Sequence, residues 1–259
     1  MDHINSSEHL SDLFLPKYFI RSSLELFAKS ISLSEFLKRI RNVLRNKINN
    51  IDALVAFDKD HLVNPTFFIA VNKALNLSYN LNQSKIWVDF MLKKGIPMGI
   101  HGITYDTLEG IMDEKERFKE LSGFSPSGIR MHYLRTNENT SANLDKAGYR
   151  YDSTMYSFKN PYKTGNLWEF PVHLMDTCAI FGDSNHQIKS LEQIKKETIQ
   201  CIEKAEEFKI QYFTIVTHDF YFSDSHKTWK DWYIWLINYF LEHNYKFINF
   251  ENAVRELES

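Results

Sequence analysis

Three histidines stand where a cavity could use them. His101 follows the short apolar run Ile96-Pro97-Met98-Gly99-Ile100 and precedes Gly102, so it leaves a strand with open space beside it. His132 lies in Gly128-Ile129-Arg130-Met131-His132-Tyr133. On a strand, alternation puts Arg130 and His132 on one face, and two such groups are costly to bury unless paired or bound to something. His218 follows Phe213-Thr214-Ile215-Val216-Thr217 and precedes Asp219. A histidine leaving a buried strand suits a general acid or a metal ligand. His101 and His218 taken alone could equally be structural residues, whereas the Arg130–His132 pairing favours function. Asp176 is a fourth ionisable residue at a strand end, after Trp168 to Met175.

These residues need elements to position them. Thr66-Phe67-Phe68-Ile69-Ala70-Val71 reads as a buried strand. Further strands are expected at Gly128 to Tyr133, Tyr149 to Ser153, Trp168 to Met175, Tyr212 to Thr217 and Lys246 to Phe250. Helices are expected between them: Lys85 to Lys94 ended by Gly95, Thr107 to Leu121, one from the Ser190…Gln193 capping box, and Trp229 to Leu241. Earlier, Ser32-Leu33-Ser34-Glu35 reads as a capping box, and Asn50 could cap a helix that Asn64-Pro65 stops. Alternating strands and helices imply a parallel sheet. In barrels of parallel strands the site lies at the C-terminal strand ends, where His101, His132, Asp176 and His218 fall. The helical spacing of Trp229, Trp232, Tyr233 and Trp235 argues for core packing over sugar stacking. The run Asp113-Glu114-Lys115-Glu116-Arg117 reads as a solvated helix face.

The 259 residues suit one large α/β barrel, and 43% hydrophobic residues suffice for its core. A net charge of −2 offers no basic excess for a phosphate backbone, which argues against nucleic acid. Cys178 and Cys201 form no ligand cluster or redox motif, so a reducing cytoplasm is the simplest compartment. Neither a signal peptide nor a membrane-spanning stretch is legible. Oligomeric state has no sequence signal.

Together these segments, from about Pro65 to Leu257, resemble the polysaccharide deacetylase (NodB-homology) superfamily. Thr66 to Ile69 is similar to that family's second strand, and Met98-Gly99-Ile100-His101-Gly102 to its first metal-histidine motif. Gly128 to Leu134, with Ala147 to Thr154, resembles its arginine motif and the next strand. Trp168 to Asp176 and Ile215-Val216-Thr217-His218-Asp219 complete the order. The Arg-x-His-Tyr-Leu form looks like a subgroup associated with O-antigen and capsule gene clusters.

The resemblance implies a single-domain, distorted (β/α)7-type barrel over 63–259 behind a mostly helical part, 1–62. It implies metal-assisted hydrolysis of an N-acyl amide (acetyl or formyl) on an amino sugar or glycan, with a divalent ion, commonly zinc, held by an aspartate and two histidines. Arg130 matches the residue that orients the base, Tyr133 the oxyanion donor, and His218 the acid that protonates the leaving amine, with Asp176 as its expected carboxylate partner and Asp152 second. His101 matches the first metal histidine. The usual second one, four residues on, is Tyr105, followed by Asp106, so His132 is expected to replace it. Met1-Asp2-His3 resembles the end of an Asp-x-Asp-His motif, making Asp2 the metal aspartate. The base aspartate would then fall ahead of Met1, as in a truncated form or a gene model started at an internal methionine, with the first strand cut short. Asp58 and Asp60 lie too close to Thr66 for a parallel crossover and are expected on a helix surface. Two other readings stay open: a barrel amidohydrolase for ureides or other non-sugar amides, and an inactive glycan-binding homologue.

Overall fold

In the computed structural model, residues 1, 3–10, 13–182 and 187–259 are described. Three helices come first: α1 Phe14–Phe27, α2 Leu33–Leu44 and α3 Ile51–Asp60. The Ser32 hydroxyl and the Glu35 carboxylate cap α2 reciprocally. Asn50 begins α3 but spends its side chain elsewhere, on the carbonyls of Asp219 and Phe220.

Strands and helices then alternate: β1 Phe67–Ile69, α4 Leu81–Lys94, β2 Met98–Gly102, α5 Leu108–Ser122, β3 Gly128–Met131, α6 Thr140–Lys146 and β4 Tyr151–Asp152. A hairpin follows, β5 Tyr162–Thr164 and β6 Leu167–Glu169, then β7 Val172–Met175, α7 Asp176–Ile180, α8 Leu191–Glu207, β8 Thr214–Val216, α9 Lys227–Glu242 and α10 Phe250–Glu258. The main sheet runs β1-β2-β3-β4-β6-β5, parallel except for the β5–β6 hairpin, and β7 pairs parallel with β8. Its strands read as continuous apolar runs because helices cover one face and the barrel interior the other.

Register assigns the faces. Phe68 pairs with Gly99, His101 with Arg130, and Gly128 with Tyr151, so Phe68, His101, Arg130 and Tyr151 share the inner face. Gly128 is obligatory there: a Cβ would sit 1.9 Å from the Tyr151 ring. Phe67, Ile69, Ile100 and Ile129 face out into the core under the helices, with Trp232, Tyr233 and Leu236 of α9 in the same cluster. Trp229 and Trp232 are thus core residues, as helical spacing implies.

Among the described residues no strand lies between β1 and β8. A cavity of about 610 Å³ lies there, lined by Met1, Phe68, His101, Arg130, His218 and Phe250 among others. Met1 sits at its edge: its amino group donates to the Phe68 carbonyl (2.7 Å), and Tyr79 Oη donates to the Met1 carbonyl (2.9 Å).

Several expectations differ from the structure. Lys246 to Phe250 forms no strand; Asn249 Oδ1 accepts from the Asn252 amide and starts α10 instead. The expected strand from Trp168 to Met175 is two strands, β6 and β7, parted at Phe170-Pro171, because proline cannot donate to a ladder. Glu114, in the charged run, is fully buried. Asp58 lies on α3 as expected but is buried, at 2% exposure, because the Tyr233 hydroxyl donates to its Oδ1 (2.7 Å). Asp60 is exposed at the end of that helix.

Candidate active site

His101 and His132 meet. His101 Nε2 and His132 Nδ1 are 2.9 Å apart, with the rings edge to face. Their outer nitrogens decide the chemistry. His101 Nδ1 lies 3.1 Å from the Arg130 carbonyl, and His132 Nε2 lies 3.0 Å from the Leu75 carbonyl. A carbonyl accepts only from an N–H, so both outer nitrogens carry protons. In neutral rings the two facing nitrogens then both present lone pairs. Two acceptors at that distance repel unless a cation lies between them, either a proton or a metal. A backbone carbonyl behind each ligating imidazole is the usual support of a metal histidine. Tetrahedral zinc would set the nitrogens about 3.3 Å apart, so a shift of a few tenths of an ångström suffices. The donor set fits a divalent ion. Asp2, expected as the third ligand, lies outside the described residues.

The local backbone explains this placement. β2 ends at Gly102, and the loop beyond it is anchored by Glu114 on α5. That carboxylate accepts from the Ile103 and Thr104 amides (3.0 Å each), from Thr104 Oγ1 (3.2 Å) and from Asn72 Nδ2 (2.8 Å). Burial raises its pKa, and those donors oppose the rise. After His132 the chain turns through two consecutive left-handed residues, Tyr133 (φ 56°) and Leu134 (φ 54°). Such backbone costs about 1–3 kcal/mol per residue. Tyr133 is half-exposed, its hydroxyl accepts from Asn76 Nδ2 (2.7 Å), and its ring lies against His132. Tyr105 packs against the core, and its carbonyl accepts from Thr140 Oγ1 (2.8 Å).

Arg130 is buried between aromatic rings, 4.6 Å from the Phe68 centroid and 5.7 Å from that of Phe250. Its Nε donates to the Ser153 carbonyl (2.8 Å) and Nη2 to Ser153 Oγ (2.6 Å). Burial lowers its pKa to about 10, against the pull of Asp152 and Glu169, so it stays charged at neutral pH. Among the described residues no carboxylate comes within ion-pair distance of it. Asp152 and Glu169 are register partners on the outer face. Burial raises both, and mutual repulsion raises Glu169 further, so Glu169 holds the proton that it shares with Asp152. Glu169 also accepts from the Thr154 and Met155 amides. The pair fixes the backbone beside Ser153, hence Arg130. Asp152 is therefore not the partner of His218.

His218 is held by Asp176. Its Nδ1 donates to Asp176 Oδ1 (2.8 Å), and its backbone N–H donates to Asp176 Oδ2 (2.8 Å). This fixes the tautomer and leaves Nε2 as the working nitrogen of a ring that lines the same cavity as His101 and Arg130.

A second group suits a cation. His3, Glu8 and His9 place ligand atoms within 4.8 Å of one another. His3 Nδ1 and His9 Nε2 are 3.0 Å apart, and Phe14 packs on both rings. One imidazole can donate to the other here, so the arrangement does not by itself require an ion. The sequence hides this group because His3 also reads as the end of the Asp-x-Asp-His resemblance, and nothing in Glu8-His9 marks them as its partners.

No family model and no curated protein matches the chain. Solved structures do. One from Mycobacterium smegmatis, carrying the name polysaccharide deacetylase, superposes with a TM-score of 0.66 at 14% identity, over 92% of this chain and 87% of that one. The chain has the fold of the polysaccharide deacetylases. Another of that name, from Pseudomonas aeruginosa PAO1, gives a TM-score of 0.61 at 20% identity, over 80% and 72%. The Puue allantoinase gives 0.60 at 18% identity, over 80% and 71%. This fold is a barrel of parallel strands, so His101, Arg130, His132, Asp176 and His218 stand at or next to the strand ends where such barrels place their chemistry.

Asp58 offers a check on the cavity wall. Burial raises its pKa to about 7, and the Tyr233 hydrogen bond opposes the rise. The folded form thus holds a proton that the unfolded chain, near 3.9, has released. Between these values the folded state binds more protons, so the Asp58 contribution to stability falls as pH rises from about 4 to about 7. Urea unfolding should show wild type losing stability relative to Asp58→Asn across that interval. A difference independent of pH would mean that Asp58 is ionised throughout.

Proposed function

We propose that this chain is a metal-dependent amide hydrolase that removes an acetyl or formyl group from an amino sugar in surface-polysaccharide synthesis. It would belong to the Arg-x-His-Tyr-Leu subgroup of the polysaccharide deacetylases. The observation that carries the reading is the His101–His132 pair, whose facing lone pairs call for a cation at a strand-end cavity. His101 and His132 would hold the ion, with Asp2 as third ligand, and zinc is the best match to imidazole and carboxylate donors. When bound, it would supply a Lewis acid beside the amide carbonyl.

The protein's own groups supply the rest. His218, fixed by Asp176, gives a proton from Nε2 to the amine nitrogen as the C–N bond breaks and regains one from the water whose hydroxyl joins the acyl carbon, so the sugar leaves as a neutral amine and the acyl group as a carboxylic acid. Arg130 provides a fixed buried cation on the wall of the same cavity, held in place by Ser153. The backbone N–H of Tyr133, set by the left-handed turn, would donate to the developing oxyanion. Described helices include none long and apolar enough to cross a membrane.

The test is turnover by zinc-loaded protein on nucleotide-linked and lipid-linked N-acylamino sugars, with allantoin-type ureides as the comparison panel. Release of acetate or formate from the sugars supports the reading. Turnover of ureides alone assigns the chain to non-sugar amides. Zinc binding without turnover of either panel assigns it to an inactive homologue.

A further inference from the structure

We infer that the helical hairpin α1–α2 docks on an anionic membrane surface. Four large apolar side chains of or beside α1 face solvent: Leu13, Ile20, Leu24 and Phe27. Their spacing of seven, four and three residues keeps them within one stripe of a helix. On α2, Leu33, Leu37 and Leu44 form a second exposed stripe at spacings of four and seven. Phe27 is 84% exposed and Leu44 80%, values that a folded protein rarely leaves in a cluster without a use.

The charges around these stripes are mostly positive, the exceptions being Asp52, paired with Lys47 (3.5 Å), and Asp224 near Lys38. Lys17 and Lys29 are exposed on or beside α1, and Lys38, Arg41, Arg45 and Lys47 on or beside α2. Residues 13–47 hold eight lysines and arginines and two glutamates, in a chain whose net charge is −2. Neither glutamate is exposed. Apolar residues ringed by cations are the composition of a helix lying in a bilayer interface, where the apolar side chains enter the acyl boundary and the cations meet lipid phosphates. A second copy of this chain fits less well, because a two-fold contact would set these cations against themselves.

The opposite side of the hairpin is anchored to the body. Ser22 and Glu25 on α1 and Arg39 on α2 are buried. Arg39 Nη1 donates to Glu25 Oε2 (2.5 Å) and Ser22 Oγ (3.1 Å), and Nε donates to the Ser225 carbonyl (2.9 Å). Phe14 and Tyr18 lie against Phe220, two residues after His218. Docking would hold the His218 rim about one helix diameter, roughly 10–12 Å, from the lipid surface, with the hairpin between them. The inference does not depend on the hydrolase reading; where that reading holds, it favours a lipid-linked sugar.

Full-length protein is sedimented with vesicles of phosphatidylcholine alone and of phosphatidylcholine with about 30% phosphatidylglycerol. Binding to the anionic vesicles is expected, at least about tenfold tighter than to neutral ones and falling as salt shortens the Debye length. Ile20→Ser with Phe27→Ser should weaken it about tenfold or more, as should Lys38→Glu with Arg41→Glu. All four positions are exposed, so melting temperatures should match wild type, and circular dichroism checks this. Failure to bind, equal binding to both vesicles, or binding unchanged by both double variants would overturn the inference. So would a concentration-dependent dimer that the Phe27→Ser variant dissolves while vesicles bind nothing. The readout is sedimentation, so its failure is separate from any loss of turnover.

Discussion

His132→Ala should remove tight zinc binding while the protein stays folded. The wild-type pair needs a cation because both outer nitrogens are fixed as donors, to the Arg130 and Leu75 carbonyls. Alanine leaves His101 alone, which cannot hold the ion with the same affinity. Changing an outer-shell partner of a metal ligand typically costs about 10–100-fold in affinity, so losing the ligand itself should cost more. The structural cost includes the hydrogen bond to the Leu75 carbonyl, about 1 kcal/mol, and the ring contacts with His101 and Tyr133. Tyr133→Phe is the matched control, since it loses only the bond from Asn76 and should keep its zinc. Metal analysis after dialysis against zinc reads the result directly. If zinc survives His132→Ala but is lost in His9→Ala, the metal centre is the His3–Glu8–His9 group instead. If wild type takes up no zinc, the cation between His101 and His132 is a proton.

The parallel sheet was legible because its strands obey simple rules. Phe67–Ile69 and Thr214–Val216 are short apolar runs, and the helices between strands carry their own start and stop signals, such as Thr107 before α5 and Gly95 after α4. What escaped depended on single residues. Helix α1 contains Pro16, which removes a helical hydrogen bond in the interior but is tolerated in the first turn, where it stands. The hairpin β5–β6 is built from the exposed strand Tyr162–Thr164, whose composition resembles a loop. The segment from Lys246 to Phe250 alternates aromatics like a strand, yet one asparagine cap decides for helix.

The site was legible residue by residue more than as an assembly. His101, Arg130 and His132 could be assigned to strand ends, and alternation put Arg130 on an inner face. Their meeting depends on register, His101 opposite Arg130, and on the carbonyl of Leu75, which a loop brings from 57 residues away. Nothing local marks that carbonyl. Glu114 was hidden by its neighbours: a charged run looks solvated, and only the fold shows that one carboxylate turns inward to cap the loop after His101. Asp58 was read as a surface residue because its partner, Tyr233, lies 175 residues away. Buried polar pairs with distant partners carry no periodic signal.

His218→Ala should lower turnover by roughly 10²–10⁴-fold, the usual cost of a lost general acid, with zinc content unchanged. The structure separates the two roles. Asp176 binds His218 at both the ring Nδ1 and the backbone N–H, so the ring is held by a carboxylate on one side and lines the cavity with the other. His101 Nε2 lies against His132 Nδ1, so the proposed ion ligands and the proposed acid are separate side chains. Asp176→Asn should lower turnover as well, because an amide can offer its own N–H to Nδ1 and so favour the wrong tautomer. His218 should then keep its place in the fold while losing its proton at Nδ1. A substrate with a better leaving group, such as an anilide of the same acid, needs less protonation and should recover much of the loss in His218→Ala but not in His132→Ala. If zinc is lost together with His218, the residue is a ligand. If turnover of both substrates is untouched, the leaving amine takes its proton from another group, and the cavity works by a different reaction.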